Sequence, residues 1–168
     1  MPDPSALLAV ARLLLSAEPE SPASDARLRR AVSTAYYALF HKVLRSGAEC
    51  FMGAGKQQTA GYGLLYRSFN HGRMKSVCGS LSVQTLGKTL RQQLGRTAVS
   101  QDMRDFAGAF VTLQDARHVA DYDLAADFNL LASTGLVETA GFAIAAFDRT
   151  LPEEKADVLA LMLANSRG

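Results

Sequence analysis

One uninterrupted segment, Asp25 to Gly47, constrains the fold of this chain more than any other feature. Its sequence, DARLRRAVSTAYYALFHKVLRSG, has no proline, and its first glycine is its last residue, so that nothing interrupts a helix. At about 100° per residue, its apolar residues share one stripe and polar residues lie opposite. The stripe contains Leu28, Val32, Ala35, Tyr36, Leu39 and Val43, and the polar side contains Arg27, Arg30, Thr34, His41, Lys42 and Arg45. Ser24 or Asp25 can cap this helix, and Gly47 is expected to end it.

The other apolar segments also repeat with a helical period, and no segment shows the alternation and turn punctuation of β-strands. The predicted fold is therefore all-α, a bundle of about four long helices with shorter helices at the edges. A length of 168 residues predicts a single domain. Further helices are expected to begin at Pro4 after the cap Asp3, after Asn70, after Ser100, near Phe128 and at Pro152, the last ending at Leu163.

Two segments are predicted to connect helices. Residues 17–24, AEPESPAS, contain two prolines and are expected to link the first two helices. Residues 47–63 are rich in glycine and lack periodicity, which predicts a loop. Their GAGKQQ motif is not a phosphate-binding loop, because Cys50 and Gln57 stand where that motif requires Gly and Ser or Thr.

The composition is that of a globular protein, with 48% hydrophobic and 20% charged residues and a formal net charge of +2. Cys50 and Cys78 show no metal-ligand spacing, so they are read as reduced thiols, and no metal site or cofactor is predicted. No segment has the length of about 18 apolar residues expected of a membrane span. The N-terminus lacks the basic region of a signal peptide and carries Asp3, so a cytoplasmic location is expected.

The segment QDARHVADYD, residues 114–123, is the strongest candidate for a functional site. On a helical wheel Arg117 falls on the stripe that carries Phe106, Phe110, Leu113 and Ala120, so it is expected to face the core or an interface. A charge in such a place requires a partner, and Asp121 stands one turn away. The cluster is therefore either a structural Arg117–Asp121 pair or a site that contacts a ligand.

Three segments together resemble one known family. LRRAVSTAYYALFHKVL resembles the second helix of HEPN domains, NHGRMKSV resembles their His-Ser/Gly segment, and ARHVADYD resembles the Arg-x-x-Ala-Asp-Tyr-Asp signature of one bacterial branch. Their order and spacing agree with that family over roughly residues 25–150. The resemblance implies a HEPN-like helical bundle that forms a homodimer.

The resemblance also implies a biological setting. HEPN domains occur in bacterial toxin–antitoxin and defence modules, often beside a small nucleotidyltransferase that serves as the antitoxin. Many are metal-independent ribonucleases, and others only bind RNA, nucleotides or proteins. We therefore expect a component of such a module that acts on or binds RNA or a nucleotidyltransferase-type partner. The alternative is a non-enzymatic module that binds a nucleotide or a protein.

The nuclease motif of the family is incomplete in this chain. It consists of an Arg, four to six residues and then a His, and here that place is held by Tyr122, Asp123 or Leu124. If the chain cleaves RNA, Arg117 would stabilise the phosphorane, and His118 or Tyr122 would have to supply the base. His118 points about 100° away from Arg117 on a helix, and Tyr122 is also expected to point elsewhere. The ordinary pKa of a tyrosine is near 10, which makes it a poor base.

The remaining candidate residues are assigned to binding. Asp121 is expected to contact Arg117 or a ligand, and Arg30, His41 and Arg45 on the polar side of the second helix could follow a phosphate backbone. The alternative is that this polar side is simply solvated. His71 is expected to lie at the start of a helix, where it either packs or contributes to a site.

Overall fold

A computed structural model of the protein describes residues 1–16 and 24–164. In these ranges the chain forms an all-α bundle with no strand, as the sequence predicts. The helices are α1 (Pro4–Leu15), α2 (Ser24–Met52), α3 (Ala60–Arg67), α4 (His71–Leu81), α5 (Lys88–Leu94), α6 (Gln101–Tyr122), α7 (Leu130–Arg149) and α8 (Pro152–Leu163), with a 3₁₀ turn at Ala54–Lys56. Apart from Ser24, the predicted connector of residues 17–24 lies outside the described residues.

Three of the predicted helix starts are confirmed by their caps. Asp3 accepts a hydrogen bond from the backbone N–H of Ser5 at 3.2 Å, and Pro4 is the first residue of α1. Asn70 caps α4 through a 3.1 Å bond from the backbone N–H of Arg73. Ser100 caps α6 through its hydroxyl. Each such cap contributes about 0.5–2 kcal/mol, which explains why these polar residues mark the helix starts.

The prediction that Gly47 ends α2 is wrong, because the helix continues to Met52. Gly47 is buried, and a Cβ placed on it would overlap the ring of Phe69, lying 2.7 Å from its Cε2. A glycine at position 47 therefore allows close packing against Phe69 and does not end the helix. The helix ends at Gly53, which has a φ of 95° and donates its backbone N–H to the carbonyl of Glu49. The predicted loop of residues 47–63 accordingly contains the end of α2, the 3₁₀ turn and the start of α3.

The polar side predicted for α2 is also partly wrong. Every residue from Ala31 to Phe40 except Tyr37 is buried, including Ser33 and Thr34. Arg27 is half-buried and donates to the carbonyl of Leu14. The helix is therefore covered on more than one side, and it buries the small polar side chains Ser33 and Thr34 together with its apolar stripe.

The chain divides into two compact units. The first unit comprises Met1–Lys42 and Ala109–Ala145, and in its core Tyr36 packs edge-on against Phe110 at 5.7 Å between ring centroids. The second unit comprises Val43–Gly108 and the described residues from Ala146 onward, and its core includes the ring pair of Phe106 and Phe147 at 4.6 Å. Each unit therefore has an apolar core of its own.

Helix α7 departs from the expectation that no segment could span a membrane. It is 20 residues long, and by length and composition alone it could cross a bilayer. About a third of its most apolar window is buried, and core helices of water-soluble proteins pass the same test. It also carries Glu138, which pairs with Arg12 of α1 at 3.0 Å. Within the described residues, α7 is the one helix that is long and apolar enough to cross a bilayer.

The two cysteines differ in their surroundings. Both are free thiols. Cys50 is exposed near the end of α2, whereas Cys78 is buried in α4. Burial raises the pKa of the Cys78 thiol far above its ordinary value, because the thiolate would lose its solvation.

Candidate functional site

The candidate site is a cluster around Arg117 in the first unit, built on α2 and α6. Arg117 follows the buried Phe110 and Leu113 on the inner face of α6, and its side chain is 22% exposed. The helical wheel therefore predicted its direction correctly. A guanidinium this deep must find partners, since an unpaired buried charge is strongly destabilising.

Two polar groups partner the guanidinium. Its Nη2 donates a 2.8 Å hydrogen bond to the hydroxyl of Tyr37 on α2. Its Nε lies 2.7 Å from Oδ2 of Asp121, so the predicted ion pair is present. That Nε is buried, and among the described residues no acceptor is aligned well enough to form a hydrogen bond with it. The contact with Asp121 therefore acts mainly through charge.

Two aromatic rings complete the surroundings of Arg117. Its Cζ lies 5.4 Å from the ring centroid of Tyr37 and 5.5 Å from that of Tyr122. Both distances are within the range of cation–π attraction. The expectation that Tyr122 points away from Arg117 is therefore wrong, because the side chain turns back towards the preceding helical turn.

The net effect of these neighbours on Arg117 favours its charged form. Burial on its own would lower the pKa of the guanidinium, but Tyr37, Asp121 and Tyr122 together raise it above its ordinary value. Arg117 is thus a cation whose charge is paired with Asp121, whose Nη2 is hydrogen-bonded to Tyr37, and whose guanidinium lies near the rings of Tyr37 and Tyr122. Such a group is poorly placed to bind a transferring phosphate, which requires a free guanidinium fork.

His118 and Tyr122 form the exposed side of the cluster. Their ring centroids lie 5.1 Å apart, and Tyr122 is 63% exposed. His118 is exposed as well. Their rings form an aromatic surface that is flanked by the carboxylates of Asp121 and Asp123. His118 and Tyr122 are candidates for partner contact, and neither is hydrogen-bonded to Arg117 in the described structure.

His41 joins the cluster from α2. Its ring stacks near that of Tyr37, with centroids 6.2 Å apart and planes inclined by 29°. Burial lowers the pKa of His41 below its ordinary value, and the positive charge of the N-terminus lowers it further. A histidine that resists protonation is a weak contact for a phosphate backbone, which was its predicted role.

The other predicted binding residues are not gathered at this cluster. Arg30 is exposed on α2 in the first unit. Arg45 belongs to the second unit and pairs with Glu49 at 2.8 Å. His71 also belongs to the second unit, where it is the first residue of α4 and partly exposed. The predicted set is thus divided between the two units.

Arg29 is a residue of the site that the sequence did not reveal. It donates to the carbonyls of Asp123 and Ala126, the former at 2.8 Å, and lies 5.0 Å from the ring centroid of Phe128. It also pairs with Asp25 at 2.6 Å. The contacts with residues 123–128 fix the segment that follows α6. These partners are more than 90 positions away in the chain, so local sequence patterns could not reveal them.

The anchored segment presents Leu124 to solvent. Leu124 is 97% exposed, although the backbone on either side of it is held by Arg29. An apolar side chain displayed on a fixed backbone, next to the exposed ring of Tyr122, is typical of a protein contact surface. We refer to His118, Asp121, Tyr122, Asp123 and Leu124 as the α6 tip.

In the described part of the chain, no three His, Cys, Asp or Glu residues lie close enough together to hold a metal ion. Comparisons with family models, with curated proteins and with solved structures give no match to this chain. The HEPN resemblance therefore stays a prediction.

Proposed function

We propose that the chain is a HEPN-like component of a bacterial toxin–antitoxin or defence module and that it acts by binding. Its partner is a nucleotidyltransferase-type protein, which docks on the α6 tip. The chain works as a homodimer, as the resemblance implies, and in the cytoplasm. The observation that carries the proposal is the contrast between Arg117, whose charge is satisfied internally, and its exposed neighbours Tyr122 and Leu124.

The occupancy of Arg117 argues for binding over cleavage. A metal-independent ribonuclease needs a cation for the phosphorane and a base for the ribose hydroxyl. Tyr37 and Asp121 engage the guanidinium, and Tyr122 stands where the family motif requires histidine. Cleavage would require Arg117 to exchange these partners for a phosphate.

The chemistry of the α6 tip defines the partner. Tyr122 and Leu124 offer apolar area, and Asp123 adds negative charge beside it, whereas the charge of Asp121 is offset by Arg117. A complementary surface has an apolar pocket with a cationic rim, since opposite potentials steer association and apolar burial holds the complex. Repulsion between carboxylates and phosphates makes this tip a poor surface for RNA.

The proposal is tested by co-expression with the product of the adjacent reading frame. We expect that frame to encode a nucleotidyltransferase-type protein that co-purifies with the chain. Leu124→Asp should abolish co-purification, whereas Leu13→Asp, at a leucine of α1 that is 70% exposed, should leave it intact. An adjacent frame of another kind, or equal recovery with both variants, would refute the proposal.

Ribonuclease activity is the second candidate, because His118 is an exposed base candidate one residue from Arg117. Total RNA incubated with the protein in a metal chelator should remain intact if the chain only binds. Cleavage that is lost in Arg117→Ala and in His118→Gln would instead establish a nuclease. Cleavage that both variants retain would indicate a contaminant.

A further inference from the structure

The second unit contains a long stretch of sequence without any acidic residue. Between Glu49 and Asp102 there is no Asp or Glu, although the chain has 16 of them. The same stretch carries seven cations, Lys56, Arg67, Arg73, Lys75, Lys88, Arg91 and Arg96. The net charge of the whole chain is only +2, so the positive charge is concentrated here. Such asymmetry is typical of a surface that meets a polyanion.

Two of these cations have structural partners in the second unit. Arg73 donates to the carbonyl of Leu161, with its Nη2 at 3.1 Å. Arg96 pairs with Glu154 at 3.3 Å and with Asp157. Their charges are largely used in holding α8, which leaves them little capacity for an external ligand.

Lys88 and Arg91 differ from them. Both are exposed, and they stand three positions apart on α5, where neighbouring side chains lie on the same side of a helix. In the part of the chain that the structure describes, neither is within ion-pair distance of a carboxylate. Their charges are therefore available to an external anion.

These cations line two neighbouring surface cavities. One cavity, of about 320 Å³, is lined by Lys88, Arg91, Gln92, Gly95, Arg96 and Thr97. The other, of about 370 Å³, shares Lys88 and adds Ser80 and Thr89 among its lining residues. Neither lining contains a carboxylate, and both supply hydrogen-bond donors beside the cations. Because Lys88 lines both cavities, they adjoin each other along α5.

The shape of this surface distinguishes among anionic ligands. Both cavities are wide open to solvent. A nucleotide or other small ligand is normally held in a pocket that buries most of its surface, about 70–90% for drug-sized molecules. An open basic channel instead suits a polymer that passes along it and presents successive phosphates, and nucleic acid carries a charge every ~3.4 Å along each strand.

We infer that α5 and the turns on either side of it bind the phosphate backbone of nucleic acid through Lys88 and Arg91. None of the residues that line the two cavities is aromatic, so bases are not stacked there. Binding is therefore independent of base sequence and depends strongly on salt. The site lies in the second unit and does not depend on the function proposed for the α6 tip.

This inference is tested by fluorescence anisotropy of the full chain with a labelled single-stranded RNA. An RNA of roughly 20 nucleotides is long enough, because it exceeds the footprint of a typical single site. We expect affinity to fall as salt rises. The double variant Lys88→Glu/Arg91→Glu should weaken binding at least tenfold and reduce the slope of log K against log salt by about 0.7 for each phosphate that is no longer neutralised. Arg91→Glu alone should weaken binding less, and Leu13→Asp, which adds a negative charge at an exposed leucine of the first unit, should have no such effect.

Two further arms identify the ligand. Single-stranded DNA of the same sequence should bind comparably if the backbone is recognised, and inorganic phosphate should compete only weakly. Full competition by inorganic phosphate would show a discrete anion site and overturn the inference. Absence of binding at low salt, or unchanged binding by the double variant with an unaltered melting curve, would also overturn it. Leu124→Asp should bind RNA normally, which separates this result from the fate of the α6 tip.

Discussion

The hydroxyl of Tyr37 on α2 accepts a hydrogen bond of 2.8 Å from Nη2 of Arg117 on α6. This contact joins two helices through residues that are 80 positions apart in the chain, and it satisfies a charge that would otherwise be costly at this depth. The tyrosine ring also lies within cation–π distance of the same guanidinium. Tyr37 therefore serves Arg117 in two ways, which single substitutions can separate.

Tyr37→Phe keeps the ring and removes the acceptor. Because hydrogen bonds to charged groups contribute about 1.5–3 kcal/mol, we expect the free energy of unfolding to fall by about 1.5 kcal/mol. Denaturant titration measures the change. Tyr122→Phe is the matched control, since its ring also contacts Arg117 but its hydroxyl is not bonded to that residue, and it should change stability by less than about 0.5 kcal/mol. Equal losses in both variants would contradict the assigned role of the Tyr37 hydroxyl.

Gly47→Ala should destabilise the protein by about 1–3 kcal/mol, the usual cost of overpacking. The new Cβ would overlap the ring of Phe69. Gly79→Ala in α4 is the control, because no atom lies within 4 Å of the position of its Cβ. That substitution should stabilise the protein by about 0.5–1 kcal/mol through helix propensity. Thermal unfolding distinguishes the opposite signs, and stabilisation by Gly47→Ala would show that the ring of Phe69 moves aside freely.

Stability should rise with pH between the lowered pKa of folded His41 and the ordinary histidine value of about 6.5. In this window His41 is protonated in the unfolded chain but stays neutral in the folded protein, where its ring is half-buried. Acidification therefore favours unfolding. Urea midpoints measured across the window give the slope. His41→Gln should flatten it. An unchanged slope in His41→Gln would assign the effect to another group.

Arg29→Lys should loosen the segment after α6 while it preserves the charge. Lysine has no fork with which to contact the carbonyls of Asp123 and Ala126 together, and it stacks less well on Phe128. Hydrogen exchange should therefore accelerate at the backbone amides of Ala125 and Phe128, both of which donate to carboxylates. Arg30→Lys, one position away and exposed, is the control and should leave these rates unchanged. Equal exchange in the two variants would remove Arg29 from its anchoring role.

Local sequence patterns predicted what depends on local geometry. Helix caps such as Asn70 and Ser100 act within three residues, and Asp121 is one turn from Arg117, so spacing alone was sufficient. The fold class and the inward direction of Arg117 followed from the same periodicity. The extent of α2 did not, because helix propensity ranks Gly47 as a stop and only the ring of Phe69 reveals its packing role.

The features of the site that the sequence did not predict depend on contacts between distant segments. Tyr37 stands outside the predicted apolar stripe of α2, and its bond to Arg117 exists only once α2 and α6 pack together. The anchoring of residues 123–128 by Arg29 likewise depends on tertiary structure. Such pairs could not be found in one sequence, since many arginines and tyrosines have the same local surroundings.

The burial of Cys78 leaves the chain with one practically reactive thiol. Alkylating reagents attack the thiolate, which Cys78 strongly disfavours, whereas Cys50 is exposed. The unaltered protein therefore accepts a single maleimide dye, located at the end of α2 in the second unit. A spectroscopic reporter is thus already encoded in the chain, in the same unit as Lys88 and Arg91, without any engineered cysteine.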